Sequence, residues 1–184
     1  MEKIVIPDYK LDVESWISLQ SDRQRQIDHL FENVLPNMLV HNDEAQALSI
    51  GCGTGREIYH LEKLGYKVTA SDTSSSALNE GIRLGNISPN TKLIEDDFNK
   101  ALDKKYDLIM ALHVLRSMPV KEIVSNTISS LNENGTMIVS GGDEMINKFE
   151  IFFNSDSEEF PEIKVMQMLI DPSCEDRRLL IIQK

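Results

Sequence analysis

The clearest chemical feature of this sequence is a loop of alternating glycines, Gly51, Gly53 and Gly55, directly after an apolar run. Glycine permits a positive φ and lets a ligand approach the backbone, which a Cβ would prevent. The spacing is GxGxG. A dinucleotide fingerprint would have glycine where Arg56 stands, and a P-loop would have lysine after Gly55. A glycine-rich turn that binds no ligand also satisfies this pattern. The surrounding residues must therefore distinguish a ligand-binding loop from a simple turn.

Acidic residues end the next two predicted strands. Asp72 lies 21 residues after Gly51, where a carboxylate can accept hydrogen bonds from the two vicinal hydroxyls of a ribose. Asp96 and Asp97 end the third strand, and one of them is placed to accept from an adenine amino group while Phe98 packs near the ring. Since the carboxyl ends of parallel strands meet at one edge of a sheet, these residues predict a nucleoside site.

Short apolar runs alternate with helical patterns from residue 46 onwards. The predicted strands are 47–50, 66–70, 91–95, 106–112, 136–140, 163–170 and 179–182. The predicted helices between them cover 58–64, 74–84, about 119–131 and 145–153. This alternation predicts an α/β fold with a doubly wound sheet. Only a short turn separates the last two strands, which predicts a hairpin and one antiparallel strand in a sheet that is otherwise parallel.

The first 45 residues are predicted to be helical. Ser21 and Gln24 form a capping box that would begin a helix, and Pro36 would kink or split it. Its apolar face comprises Ile27, Leu30, Phe31, Val34, Leu35, Met38 and Leu39. The predicted organisation is a helical N-terminal extension over 1–45, serving as a lid or cap, and a ligand-binding domain over 46–184, which together make effectively a single domain.

Composition narrows the function classes. The 184 residues carry a formal net charge of −11, which argues against broad binding of a nucleic acid, because phosphate contacts need Lys or Arg. Two cysteines and four scattered histidines predict neither a disulfide framework nor a metal site. We find neither a signal peptide nor an apolar run of the roughly 20 residues that span a bilayer. The expectation is therefore a cytoplasmic protein that binds neither nucleic acid nor membrane.

Four segments of the chain resemble the motifs of the class I S-adenosylmethionine-dependent methyltransferases. They are Leu48–Gly55, Val68–Asp72, Leu93–Phe98 and Tyr106–Leu115. The resemblance implies a seven-stranded Rossmann-like sheet with a terminal hairpin, a helical extension that helps to cover the substrate, and S-adenosylmethionine as cofactor. The residues that it implies for cofactor binding are Ser49, Gly51, Cys52, Gly53, Gly55, Asp72, Thr73, Asp96, Asp97, Phe98 and Ala111.

One position departs from the family. Ser49 stands where the family most often has an acidic residue, near the methionine end of the cofactor. A serine hydroxyl forms hydrogen bonds but supplies no countercharge to an amino group. We therefore expect either weaker cofactor binding or a substitute carboxylate from the N-terminal segment. Cys52 is interpreted as a small buried side chain that fits the turn, rather than as a reactive thiol.

Candidate substrate groups lie outside the glycine loop. His113, just past the fourth strand, is the candidate catalytic base, and its alternative is a loop histidine with no chemical role. Arg116 would meet an anionic substrate group, or is a solvated surface residue. Tyr9 and Trp16 would form a lid over the substrate. An equally good alternative is that these aromatic side chains anchor the N-terminal segment to the hydrophobic core.

The leading hypothesis is a methyltransferase that acts on oxygen or nitrogen of a small molecule. A second is a catalytically degenerate module that binds S-adenosylmethionine and serves as a partner or regulatory subunit. A dinucleotide-dependent oxidoreductase is a distant third, disfavoured by Arg56 and the GxGxG spacing. A protein partner or a homodimer is left open.

Overall fold

The computed structural model describes residues 13–36, 38–39, 44–115, 120–155, 162–169 and 178–184, and for 13–20 and 169 it describes the backbone alone. The strands are β1 (Gln46–Ile50), β2 (Lys67–Asp72), β3 (Lys92–Glu95), β4 (Tyr106–Leu112), β5 (Leu131–Gly141), β6 (Lys164–Leu169) and β7 (Arg178–Gln183). The α-helices are α1 (Val13–His29), α2 (Ile58–Lys63), α3 (Ser75–Arg83), α4 (Val120–Ser129) and α5 (Asp143–Ser155). A π-helical turn, Leu30–Val34, extends α1, and a 3-10 turn, Phe98–Ala101, follows β3.

The seven strands form one sheet in the order β3-β2-β1-β4-β5-β7-β6. The pairs from β3 across to β5 are parallel, whereas β7 runs antiparallel to both β5 and β6. The predicted fold class, with its terminal hairpin and single antiparallel strand, is confirmed. The direction of winding reverses between β1 and β4, and in such a sheet the ligand crevice lies beyond the carboxyl ends of these two strands.

The two central strands are buried on both faces. Successive side chains of a strand point to opposite faces, so Ala47 joins a hydrophobic cluster with Leu30 and Leu61, while Leu48 joins a second cluster with Phe149. The first cluster packs α1 and α2 on one face of the sheet, and the second packs α4 and α5 on the other. This double cover explains why β4 is almost wholly apolar in sequence.

The N-terminal helix differs from its prediction. It begins at Val13, so Ser21 lies inside α1 and the predicted capping box does not start a helix. The helical segment ends at Val34, with Leu35 as its C-cap, so Pro36 follows the end of the helix instead of kinking it. This placement is consistent with proline chemistry, since proline has no amide hydrogen to give to a helix interior. Within the described residues, no helix is both long and apolar enough to cross a membrane.

A polar and an aromatic contact hold α1 and its π-helical turn against α2. His60 Nε2 lies 2.9 Å from Asp28 Oδ1. The His60 ring also stacks on Phe31, with ring centroids 4.8 Å apart and planes inclined by 11°. Phe31 itself is buried in the cluster that contains Leu30 and Leu61. The N-terminal segment therefore shares the hydrophobic core of the sheet.

Replacing Phe31 by Ala tests whether this segment folds as one unit with the sheet. We expect a single unfolding transition in urea, with the free energy of unfolding lowered by about 3–5 kcal/mol, because a buried aromatic ring is lost. The adjacent and exposed Glu32 gives the control, since Glu32→Ala should change stability by no more than about 0.5 kcal/mol. An unchanged midpoint for Phe31→Ala would mean that the segment does not contribute to the core.

Candidate functional site

A cavity of about 280 Å³ lies at the carboxyl ends of β1, β2 and β4. Its wall combines the glycine loop, the residues after β2, the residues that end β4 and two residues of α1. The lining residues are Arg23, Ile27, Gly51, Cys52, Gly53, Thr54, Arg56, Glu57, Asp72, Thr73, Ser74, Ala77, Leu112, His113 and Val114. Of the predicted cofactor-binding residues, the structure thus brings Gly51, Cys52, Gly53, Asp72 and Thr73 to the crevice where the winding reverses.

Two glycines of the loop have different reasons to lack a side chain. Gly51 has a φ of 60°, and a Cβ there would collide with the side chain of Val114. Gly53 has a φ of 55°, and a Cβ there would meet nothing within 4 Å. Gly51 therefore allows the loop to pack against the residues after β4. Gly53 leaves its backbone open to the cavity, as close approach of a ligand requires.

Asp72 connects this loop to the end of β2. Its Oδ2 accepts a hydrogen bond of 2.7 Å from the backbone N–H of Gly53, and its Oδ1 accepts one of 2.8 Å from the N–H of Ser74. Ser74 in turn caps α3, because its hydroxyl accepts from the N–H of Ala77. Each carboxylate oxygen keeps further acceptor capacity. Asp72 is thus fixed in position at the cavity wall and is still able to accept from ligand hydroxyls.

The departure at Ser49 is accompanied by a carboxylate. Ser49 is buried, and its hydroxyl donates a hydrogen bond to Oε1 of Glu57, which directly precedes α2. Burial raises the pKa of Glu57, and the hydrogen bond from Ser49 opposes this rise. A carboxylate therefore lies one hydrogen bond from Ser49, on the residue before α2. A carboxylate from the first twelve residues, as expected from the sequence, would lie outside the described residues. Sequence reasoning missed Glu57, although its position two residues after the glycine loop was a usable signal.

Cys52 lines the cavity as a free, buried thiol. Burial raises its pKa well above the ordinary range, and the nearby carboxylates of Glu57 and Asp72 raise it further. A thiol in such surroundings stays protonated near neutral pH, so it lacks the thiolate that reactive cysteines use. This agrees with its interpretation as a small side chain within the turn.

His113 also lines the cavity, and its backbone conformation is unusual. Its φ is 61°, in the left-handed region that residues other than glycine rarely adopt. A backbone hydrogen bond of 2.9 Å from its N–H to the carbonyl of Ser140 on β5 holds it there. Such strained residues persist where the surrounding structure fixes them, and they cluster at functional sites.

The predicted adenine-contacting residues lie outside the cavity wall. Asp96 accepts from the N–H of Asp97 at 2.7 Å and pairs with Lys100, while Asp97 accepts from the N–H of Asn99 at 2.9 Å. Phe98 is buried in the second hydrophobic cluster.

The remaining predicted positions are buried or undescribed. Ala111 is fully buried in β4, and Gly55 supports the loop, since a Cβ there would meet Ile58 and Ile87. Tyr9 and Arg116 lie outside the described residues, and for Trp16 only the backbone within α1 is described. Arg23 and Ile27 of α1 also line the cavity, although neither was predicted as a site residue and Ile27 was assigned only to the apolar face of the helix.

The sequence matches a family model described as "Methyltransferase domain" over residues 19–150. The chain belongs to this methyltransferase family. The predicted resemblance to class I S-adenosylmethionine-dependent methyltransferases is confirmed. The cofactor that this family uses is S-adenosylmethionine.

A curated relative is the ribosomal protein L11 methyltransferase of Campylobacter concisus (strain 13826). It is 34% identical over 112 residues, which is 56% of this chain and 36% of the relative. The chain therefore spans little more than a third of the length of the curated relative that it matches.

Solved structures share the fold at low identity. The magnesium protoporphyrin IX methyltransferase of Synechocystis PCC 6803, with bound S-adenosylmethionine, is 16% identical at a TM-score of 0.70, over 96% of this chain and 86% of that one. A plantazolicin methyltransferase with a triazolic desmethyl analogue and S-adenosylhomocysteine is 12% identical at a TM-score of 0.70, over 93% and 89%.

The methyltransferase site fits the cofactor of the family on its own geometry. The open space at Gly53 admits a ligand against the backbone, and Asp72 presents a fixed carboxylate beside it. Among the described residues, no group of three His, Cys, Asp or Glu side chains is placed to hold a metal ion. The open backbone at Gly53 and the carboxylate of Asp72 suit an organic nucleoside ligand with hydroxyl groups.

Replacing Asp72 by Ala tests the nucleoside contact. We expect the affinity for S-adenosylmethionine to fall by about 1–3 kcal/mol, because ligand hydroxyls and the N–H of Gly53 lose an acceptor. Isothermal titration calorimetry measures this. The matched control is Asp103→Ala, which removes an exposed carboxylate near the start of β4, at the opposite edge of the sheet. Unchanged affinity in Asp72→Ala would remove the ribose assignment.

Proposed function

We propose that this methyltransferase transfers a methyl group from S-adenosylmethionine to oxygen or nitrogen of a small-molecule acceptor. The observation that carries the proposal is the cavity of about 280 Å³ in which the glycine loop, Asp72 and His113 meet. This volume lies just below the range of roughly 300–1,000 Å³ that is typical of small-molecule sites. The cavity would therefore hold only part of the cofactor, in keeping with an adenine that lies beyond its wall.

The proposed binding arrangement assigns one task to each part of the wall. Asp72 accepts hydrogen bonds from the ribose hydroxyls, with its own position fixed by the N–H groups of Gly53 and Ser74. The backbone at Gly53 lies against the ligand, since a Cβ position there is open. Thr73 adds a hydroxyl at the same edge. Asp96 or Asp97, with Phe98, receives the adenine in this proposal, beyond the wall of the cavity.

The names of similar proteins leave the acceptor class broad. One similar structure is of an enzyme for magnesium protoporphyrin IX, another is of a plantazolicin enzyme with desmethyl analogues, and the curated relative is named for a ribosomal protein. The net charge of −11 favours a neutral or cationic acceptor over a polyanion. A small molecule is therefore the acceptor that we propose, with a protein acceptor as the alternative outcome of the test.

The residues of the chain contribute mainly positioning. The bound cofactor supplies an activated methyl group on a sulfonium sulfur, which an acceptor atom displaces in line. Alignment of the reactants contributes about 7–11 kcal/mol in well-oriented systems. Arg23 and Ile27 of α1 close one side of the cavity and reduce the access of water. We assign α1 and the rest of the 1–45 extension the role of a cover over the 46–184 domain.

His113 is the proposed base for acceptors that must lose a proton. It lies at the cavity wall after β4, the strand that borders the crevice. The hydrogen bond from its N–H to the carbonyl of Ser140 holds its backbone at a φ of 61°. The backbone that carries the imidazole is therefore fixed in position. A positioned base contributes about 10²–10⁴-fold to such reactions.

The alternative, a cofactor-binding module without activity, rested on the missing acid at Ser49. The carboxylate of Glu57 lies within a hydrogen bond of the Ser49 hydroxyl, which weakens that argument. A partner or regulatory role that needs a second protein is separated from the leading proposal by the labelling assay below.

Two measurements test the proposed function. First, calorimetry should show binding of S-adenosylmethionine, and an absence of binding at millimolar cofactor would refute the proposal. Second, the protein is incubated with methyl-labelled cofactor and a cell extract separated into small-molecule, protein and nucleic-acid fractions. Label in the small-molecule fraction supports the proposed acceptor class. Label in the protein or nucleic-acid fraction alone overturns it, and binding without labelling unless a second protein is added supports the module.

Replacing His113 by Ala and by Asn tests the base with the accepted substrate of that assay. Both variants should lower kcat by about 10²-fold or more near neutral pH and leave cofactor affinity unchanged. Asn is the matched replacement, because it tolerates a positive φ but does not act as a base. A variant His113→Asn with near wild-type kcat would leave His113 a structural role alone.

A further inference from the structure

Glu57 is the most unusual charged group in the described part of the chain. Only 4% of the residue is exposed, yet it belongs to the wall of the cavity. It directly precedes α2, two residues after the last glycine of the loop. A carboxylate in such a position needs an explanation, because burying an ionised group is costly unless it is paired.

The contacts of Glu57 within the described residues do not neutralise it. The side chain that donates to it is Ser49, through a hydroxyl that carries no charge. Neither lysine nor arginine forms an ion pair with it in the described part of the chain. Replacing a buried polar pair of this kind by apolar side chains is often neutral or stabilising. A contribution to stability therefore does not explain why Ser49 and Glu57 are paired here.

The charged surroundings of Glu57 are mixed. Burial raises the pKa of Glu57, the hydrogen bond from Ser49 and the charge of Arg56 lower it, and the charge of Asp72 raises it. Arg23 and His113 lie on the same wall, and the thiol of Cys52, nearby, is uncharged at neutral pH. No described partner thus supplies a full countercharge at hydrogen-bond distance. A cationic group that enters the cavity would supply it.

The position of the Glu57 carboxylate indicates which cationic group would bind to it. Ser49 occupies the place where the family resemblance expects an acidic residue, near the methionine end of the cofactor. The Ser49 hydroxyl contacts the carboxylate of Glu57. The missing negative charge is therefore restored one hydrogen bond away from its expected place, and it comes from a different element of the fold.

We propose that Glu57, oriented by Ser49, binds the α-ammonium group of the cofactor's amino-acid end. Ser49 is then a positioning residue, and Glu57 is the residue that contacts the ligand. This inference rests on the proposed function, since it names a contact within the same site. The negative charge of the site would then come from the residue before α2 and not from position 49 on β1.

A pair of ligands isolates this contact. S-adenosylhomocysteine carries the amino-acid end, whereas 5′-methylthioadenosine has the same nucleoside and a thioether but lacks the ammonium and carboxylate groups. Calorimetry with Glu57→Gln should show about a 10- to 100-fold loss of affinity for S-adenosylhomocysteine, the size expected for a charge-assisted hydrogen bond. The affinity of this variant for 5′-methylthioadenosine should equal that of the wild type.

A control and a rescue variant complete the test. Glu62→Gln removes a carboxylate from α2 that bonds to Ser88 and Thr91, outside the cavity, and should leave both affinities unchanged. The double variant Ser49→Asp with Glu57→Gln returns the charge to the position that the resemblance expects. It should regain most of the lost affinity for S-adenosylhomocysteine.

The pH dependence supplies an independent readout. Because burial raises the pKa of Glu57, binding of an ammonium group should lower this pKa and release a proton. Wild-type affinity for S-adenosylhomocysteine should therefore fall as the pH decreases through the raised pKa. In Glu57→Gln this dependence should be lost. The ligand-free variant should also be more stable than the wild type at a pH above the raised pKa, where the buried charge is uncompensated.

The outcomes separate the two proposals. A wild-type protein that binds neither ligand refutes the proposed function. If the wild type binds both, then equal affinity of Glu57→Gln and wild type for S-adenosylhomocysteine overturns the role of Glu57 while the function stands. An equal loss for both ligands also overturns it, because a general distortion of the site would then explain the result.

Discussion

The carboxylate of Asp72 is the interaction on which the geometry of the site depends. It accepts from the N–H of Gly53 on one side and from the N–H of Ser74 on the other, so one side chain joins the glycine loop, the end of β2 and the start of α3. A loop with three left-handed glycines has a high conformational entropy when unfolded. Fixing it from the neighbouring strand keeps the open backbone at Gly53 in place before a ligand arrives.

The second constraint is the cover formed by α1. Phe31 stacks on His60, and Asp28 bonds to the same ring, so the N-terminal segment and α2 share a hydrophobic core. Arg23 lies on α1, about two turns before these contacts. Packing of α1 in the core therefore also determines where Arg23 lies at the cavity wall. Stability and the shape of the ligand site are therefore coupled in this region, and loss of the Phe31 contact would affect both.

In the role that we propose for Glu57, the pair of Ser49 and Glu57 supplies a negative charge to the site although the residue on β1 is uncharged. A strand residue and the residue before the next helix are eight positions apart, yet the glycine loop folds back and brings them within a hydrogen bond. Burial raises the pKa of Glu57, so ionisation of this carboxyl group carries a cost in the ligand-free protein. That cost is consistent with a functional role, since strained or desolvated groups concentrate at sites that act on ligands.

Sequence alone determined the order of strands and helices, because the alternation of buried strands and amphipathic helices is a local pattern. It also placed the glycine loop and Asp72, since spacing fixes which strand ends they occupy. It did not determine the start of α1, which begins at Val13 and not at the predicted capping box of Ser21. Only the tertiary structure could bring Glu57 to Ser49 and Arg23 to the cavity, and place Asp96 outside its wall. These are contacts between separate elements, and no periodicity in the chain encodes them.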